Sequence, residues 1–260
     1  MSVGFSGEVA RLYETYRRGY PDAVVDAIVD AFELTSDDIA VDLGCGPGQL
    51  TFPLAAYLRA VVGVDPEADM LALARRAAEQ RSFANIAWLL GTDADMPALE
   101  SLLGPRSVGV VTAATALHWM RDDEVFRATA RLVRPGGGFT VVTNGKPLWQ
   151  QDVAWSYALR EFIESWNGES EDAGCGTDDV AQQRYRDNLA AAGFTVSEAF
   201  VDYIDDLDLE HLVGGMLSAF PEQALPTGAA RTEFADGIRD ALGDGPFTET
   251  VHVGLIFGRH

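Results

Sequence analysis

The chain has 260 residues, 47% of them apolar and 23% charged, a balance that supports a packed globular core and argues against disorder. Its 40 Asp and Glu against 19 Lys and Arg give a net charge of -21, a field that repels phosphate backbones and anionic headgroups, so neither nucleic acid nor a membrane surface is expected as a partner. Two cysteines, Cys45 and Cys175, are too few for a disulfide framework, no apolar run reaches the roughly 18 residues of a membrane span, and the start lacks a charged and then apolar leader; a cytoplasmic protein is expected.

In chain order, residues 1 to 35 carry apolar positions 24, 25, 28, 29 and 32 on a helix that begins after Pro21, with Asp22 in the first turn where the helix dipole favours negative charge. From residue 39 short apolar runs alternate with helical stretches, the pattern of a parallel sheet covered by helices. The predicted strands are 39–43, 60–65, 85–90, 107–114 and 138–143; helices are predicted over 67–81 and 121–133, the latter stopped by the glycines of RPGGG. Residues 194–204 and 248–260 read as a closing antiparallel pair. The expected organisation is therefore N-terminal cap helices (1–35), a ligand-binding core (36–145), a helical insert and lid (146–190), and closing strands (191–260) around a helical insert (205–247). The three parts outside the rhythm either cover the carboxyl ends of the strands, where an open parallel sheet binds its ligands, or simply cover sheet faces.

The stretch IAVDLGCGPGQLTFPLA runs from a strand ending in an acid into Gly44-Cys45-Gly46-Pro47-Gly48 and then a helix. Missing Cβ atoms let a ligand approach the backbone, and the peptide N–H groups and helix start are expected to be exposed to a bound nucleoside derivative. Gln49 stands where a dinucleotide fingerprint wants its third glycine, which disfavours a nicotinamide or flavin cofactor. Asp65 closes the second strand 21 residues after Gly44, the place from which a carboxylate accepts from both hydroxyls of a ribose. Cys45 is read as a small residue filling a tight loop, and the four histidines lack metal-ligand spacing, so no metal is expected.

These residues resemble the class I S-adenosylmethionine-dependent methyltransferases over roughly 39–145: VDLGCGPG, GVDPEADML, GTDADMP and RLVRPGG are similar to four successive family motifs. YETYRRGYP and ALHWM resemble a bacterial small-molecule subgroup that includes trans-aconitate methyltransferase-like proteins. The resemblance implies an α/β, Rossmann-like seven-stranded sheet of order 3-2-1-4-5-7-6 with helices on both faces and a helical cap. It also implies S-adenosyl-L-methionine as cofactor and a methyl acceptor atom, O, N or C, on a small metabolite. Carried over residue by residue, Asp42, Gly44 and Gly46 line the methionine part, Asp65 holds the ribose and Met70 lies against adenine, with Cys45 and Pro66 counted among the cofactor-binding residues. Thr92, Asp93 and Ala94 meet the adenine edge, with Asp95 the alternative carboxylate; Ala113 and Ala114 give clearance beside the sulfonium. Arg17 pairs with the cofactor carboxylate, while Arg18 departs from the family's proline.

His118 is the candidate catalytic base, its alternative role being that of a pocket wall beside Trp119. Tyr13, Tyr16, Tyr20, Trp119 and Trp149 are the candidate substrate contacts, against the reading that aromatic residues at helical spacing form core. The acidic, glycine-rich loop 167–179 reads as a mobile lid or as a solvated connection. A non-catalytic or cyclising nucleoside-binding relative is the competing function, and the chain is expected as a monomer or homodimer.

Overall fold

The computed structural model describes residues 4–167 and 175–260; the part of the expected lid at 168–174 lies outside the described residues. Seven strands, β1 (Ile39–Leu43), β2 (Ala60–Asp65), β3 (Ile86–Leu90), β4 (Val108–Ala114), β5 (Val133–Asn144), β6 (Thr195–Leu207) and β7 (Phe247–Arg259), form one sheet of order β3-β2-β1-β4-β5-β7-β6. The first five run parallel, and β7 is antiparallel to both of its neighbours. Helices α1 (Gly7–Tyr16), α2 (Asp22–Phe32), α3 (Thr51–Tyr57), α4 (Ala68–Gln80), α5 (Met96–Leu103), α6 (Asp122–Leu132), α7 (Ala154–Asn167), α8 (Asp179–Ala191), α9 (Leu209–Leu217) and α10 (Gly228–Leu242) surround it.

Central strands buried on both faces need apolar side chains at odd and even positions alike, which is why these read as unbroken Val, Ile and Ala runs. Val41, Leu43, Val111 and Ala113 point to one face, against α5, α6 and α8. Ala40, Val61, Val110 and Val142 point to the other, against α2 and α3. A third core belongs to the cap: Val9 of α1, Leu159 of α7, Leu212 of α9 and Phe234 of α10 pack together beside Phe247.

The expected organisation needs three corrections. Residues 133–137 do not form a glycine-stopped helix end. The helix closes at Leu132, and RPGGG continues as the irregular start of β5, with Val133 beside Val108 and regular pairing resuming at Gly138 beside Val110. Backbone crowding demands glycine here, since a Cβ on Gly138 would stand 1.9 Å from the Gly258 carbonyl oxygen. The closing pair is longer than expected, so 205–207 and 247 are strand, because Ile204 to Leu207 keep their partners on β7 despite an acidic run poor in β-formers. Finally, cap segments and face-covering segments interleave: α1 and α7 enter the cap, whereas α2 and α8, with aliphatic stripes suited to a sheet, cover opposite faces.

Candidate active site at the carboxyl ends of the strands

The turn after β1 holds Gly44, Gly46 and Gly48 at φ of 66°, 53° and 97°, the left-handed region that only glycine enters freely. Gly44 also permits a close approach, since a Cβ there would lie 2.5 Å from the Ala116 Cβ in the turn after β4. The loop's amides correct the expectation that they face a ligand. Gly44 and Cys45 both donate to the Val64 carbonyl at 2.8 and 3.1 Å, and Gly48 donates to Cys45 at 3.0 Å. Gly46 donates to Asp65 Oδ2 at 2.8 Å, so the acid at the end of β2 clamps the turn. What the loop offers outward is space: a Cβ on Gly46 would find its nearest neighbour, Gln49 Oε1, at 3.9 Å.

Asp65 also accepts from the Glu67 amide through Oδ1 at 2.9 Å. Each of its oxygens thus has one backbone donor and capacity for another, as two vicinal hydroxyls require. Burial pushes its carboxyl pKa up, and the two backbone donors work against that rise. Asp42, 1% exposed, is sealed from solvent. Thr51 Oγ1 donates to its Oδ2 at 2.6 Å and Thr112 Oγ1 to its Oδ1 at 2.8 Å. Burial drives its pKa up to about 6, the hydroxyls lower it, and the nearby charge of Asp65 raises it further.

After β3, Thr92 and Asp95 form a reciprocal capping box in which Asp95 Oδ2 accepts the Thr92 amide at 2.8 Å, and Ala94 donates its amide to Thr92 Oγ1 at 3.2 Å. Asp95 and the Ala94 amide are therefore engaged in the turn itself. Asp93 makes only a peripheral bond, accepting the Arg121 amide at 3.2 Å, which leaves it the better placed of the two carboxylates to receive a ligand. Met70 is buried with Leu73 against Ala10, Phe5 and Tyr13. The N-terminal segment reaches this point because Gly7 donates to Asp69 Oδ2 at 2.7 Å and Gly4 to Glu67 Oε1 at 3.2 Å.

An aromatic group gathers above the loop. Phe5 meets Tyr13 edge-on at 5.7 Å and Trp119 at 6.4 Å, and His118 lies 5.0 Å from Trp119. Burial lowers the His118 pKa, which favours the neutral imidazole, and no hydrogen bond holds its ring among the described residues. Gly176, just beyond the undescribed segment, packs on His118, where a Cβ would lie 3.1 Å from the His118 Cβ.

Residues 17–20 then cross the strand ends. The Arg17 carbonyl accepts from Gln49 at 3.4 Å, its Nε donates to Ser218 at 2.8 Å, and its guanidinium lies 5.4 Å from the Tyr13 ring centre. Arg18 pairs with Glu249 and lies 3.7 Å from Asp205. The Gly19 carbonyl accepts from Asn144 at 3.4 Å, and the Tyr20 hydroxyl meets Thr115 at 3.4 Å.

The structure thus brings Tyr13, Arg17, Tyr20, Gly44, Cys45, Gly46, Asp65, Pro66, Met70, Thr92, Asp93, Ala114, His118 and Trp119 to one end of the sheet. Ala113 is fully buried in the core below. Tyr16 turns the other way on α1, donating to Glu210 at 3.1 Å and lining a groove of about 420 Å³ against α9 and α10. Trp149 packs against the cap core, its carbonyl accepting from Arg160 at 2.7 Å. Sequence reasoning missed Phe5, Thr51, Thr112, Thr115, Asn144 and Glu249. They carry no local motif, and only the register of the sheet and the course of the N-terminal segment bring them in.

Residues 40–137 match the family described as "Methyltransferase domain". The match covers about two fifths of the chain, and the strand order agrees with the one that the resemblance to class I S-adenosylmethionine-dependent methyltransferases implies. Among known proteins, the chain is 28% identical over 153 residues to "Probable S-adenosylmethionine-dependent methyltransferase CRG1" of Saccharomyces cerevisiae, covering 58% of this chain and 46% of the relative. It is 34% identical over 163 residues to "Uncharacterized methyltransferase Rv3342" of Mycobacterium tuberculosis, covering 63% of this chain and 60% of the relative. The chain therefore spans about half the length of the curated relatives it matches. The solved YcgJ protein of Bacillus subtilis shares the fold, with a TM-score of 0.56 at 19% identity over 92% of this chain and 98% of that one. No helix among the described residues is long and apolar enough to cross a membrane.

Proposed function

We propose that this chain transfers the methyl group of S-adenosylmethionine to an O, N or C atom of a small metabolite, working in the cytoplasm as a monomer or homodimer. The observation that carries the reading is the Asp65 clamp: a buried carboxylate with one backbone donor on each oxygen, beside a Gly46 whose absent Cβ leaves room. These residues fit the cofactor. Asp65 would receive the ribose hydroxyls, Asp93 the adenine amine, Met70 the adenine face, and Arg17 the carboxylate through guanidinium nitrogens beyond the one given to Ser218. When bound, the cofactor supplies a methyl group already activated on a sulfonium.

The protein's own tasks are then to orient the acceptor and to exclude water. Phe5, Tyr13 and Trp119 supply an apolar wall, and His118, its neutral form favoured by burial, can take a proton from an alcohol or amine acceptor at a ring nitrogen. The narrower likeness to a bacterial small-molecule subgroup rests on YETYRRGYP and ALHWM. Calorimetric titration with S-adenosylhomocysteine tests the reading: saturable binding in the micromolar range is expected, and no heat at millimolar ligand overturns it. Incubation with labelled methyl donor and a metabolite extract, followed by mass spectrometry, identifies the acceptor.

A further inference from the structure

The segment Gly4-Phe5-Ser6 leads into α1 at Gly7. Gly4 and Gly7, at φ of 92° and 56°, stand in the left-handed region on either side of Phe5 and Ser6. Both amides are tied to the chain just past Asp65, Gly4 donating to Glu67 Oε1 and Gly7 to Asp69 Oδ2. The Ser6 hydroxyl donates to Glu222. Phe5 packs against the cluster of Met70 and Leu73 on α4 with Ala10, and on its other side the ring meets Trp119 edge-on.

Topology decides what these contacts span. β1 lies between β2 and β4 in the sheet; Glu67 and Asp69 follow β2, and Trp119 follows β4. A segment that touches both sides therefore passes over the carboxyl end of β1, where the glycine loop and Asp65 meet through the Gly46 amide. Tyr13, edge-on to Phe5, carries this roof on toward the Arg17 guanidinium. Every tether is a group of the protein, so the roof closes on the chain's own contacts. Two of its three hydrogen bonds are exposed and hold weakly. The partly buried Phe5 ring is the stronger hold, and the glycines that flank it leave the backbone free to swing once the ring lets go.

We infer that Phe5 is a gating residue: it latches residues 4–7 as a roof across the proposed cofactor crevice, and release of the latch sets how fast S-adenosylmethionine enters and leaves. The identity of the cofactor rests on the methyltransferase reading above; the gate concerns rates that the reading does not fix. A roof held by the protein's own contacts is a barrier in both directions. Weakening it speeds entry and exit alike and leaves affinity nearly unchanged, whereas a side chain that only touches the bound ligand changes exit and affinity together.

Tritiated S-adenosylhomocysteine is bound to the full chain and chased with excess unlabelled compound under rapid filtration, which gives koff. Calorimetry gives Kd, and kon is koff divided by Kd. Phe5→Ala is expected to raise koff and kon together by at least about tenfold, with Kd within about threefold of the parent. Asp69→Ala removes an exposed tether without touching the core and is expected to raise both rates by about threefold. It carries the test alone should the melting curve show that Phe5→Ala does not fold. Unchanged rates in every variant that folds overturn the inference. Faster exit with affinity weakened in step overturns it too, since Phe5 is then a wall that touches the ligand. Failure of the parent to bind S-adenosylhomocysteine overturns instead the methyltransferase reading.

Discussion

Asp42→Asn tests the electrostatics beneath the loop. In the folded chain the Asp42 pKa rises from 3.8 to about 6, because burial disfavours the carboxylate more than two threonine hydroxyls favour it. The unfolded chain releases that proton near 3.8, so between the two values the folded state binds more protons and stability falls as pH rises. The contribution is complete below about pH 4 and lost once pH has passed through about 6. Roughly two pKa units at about 1.4 kcal/mol each make the loss about 3 kcal/mol at most. Asparagine has the same shape and no charge, and the Thr51 and Thr112 hydroxyls can rotate to accept from its amide. Urea unfolding of both proteins at steps from about pH 4 to about pH 7.5 should show the variant gaining about 3 kcal/mol on the parent across that range. Groups that titrate alike in the two proteins, Glu249 and Asp38 among them, cancel in the difference. A stability difference flat with pH would refute the argument.

Three further outcomes are expected. Asp65→Ala removes the acceptor for the Gly46 amide as well as the proposed ribose contact, and should weaken S-adenosylhomocysteine about tenfold or more in calorimetry; an unchanged affinity means that the ribose lies elsewhere. Gly44→Ala forces a side chain to φ 66° and to within 2.5 Å of Ala116. The left-handed conformation alone costs about 1–2 kcal/mol, so the melting temperature should drop by at least about 2 °C, and a variant that melts with the parent contradicts the packing described. His118→Ala should lower the maximal rate of methyl transfer by about a hundredfold or more with cofactor affinity kept, whereas full activity assigns the imidazole to the wall alone.

How legible each part was follows from how local its signal is. β1, β2 and β4 were readable to within a residue because strands buried on both faces leave continuous apolar runs, and the loop was readable because glycines and Asp65 carry their meaning in one short stretch. RPGGG misled because proline and glycine signal a helix stop and close strand packing alike; only the approach of Gly258 to Gly138 decides for the latter. The sequence favours Asp93 with Asp95 as the alternative, and the capping box with Thr92, set only by the course of the turn, engages Asp95. Tyr13 and Tyr16 looked equivalent until α1 turned them to different sides. Arg18 read only as a departure from a proline; its partners, Glu249 and Asp205, lie more than 180 residues away, and no periodicity announces them.

The lacing of residues 17–20 across four strand ends bears on how this protein can be dissected. A fragment trimmed to the matched stretch, 40–137, would lose β6, β7 and the regularly paired part of β5, and would bare the aliphatic surface that Val24, Ile28 and Phe32 shield. It would also lack the strap that closes the bowl. Expression of such a minimal piece should give an aggregating chain, and ligand studies need the leading helices as much as the glycine turn they overhang.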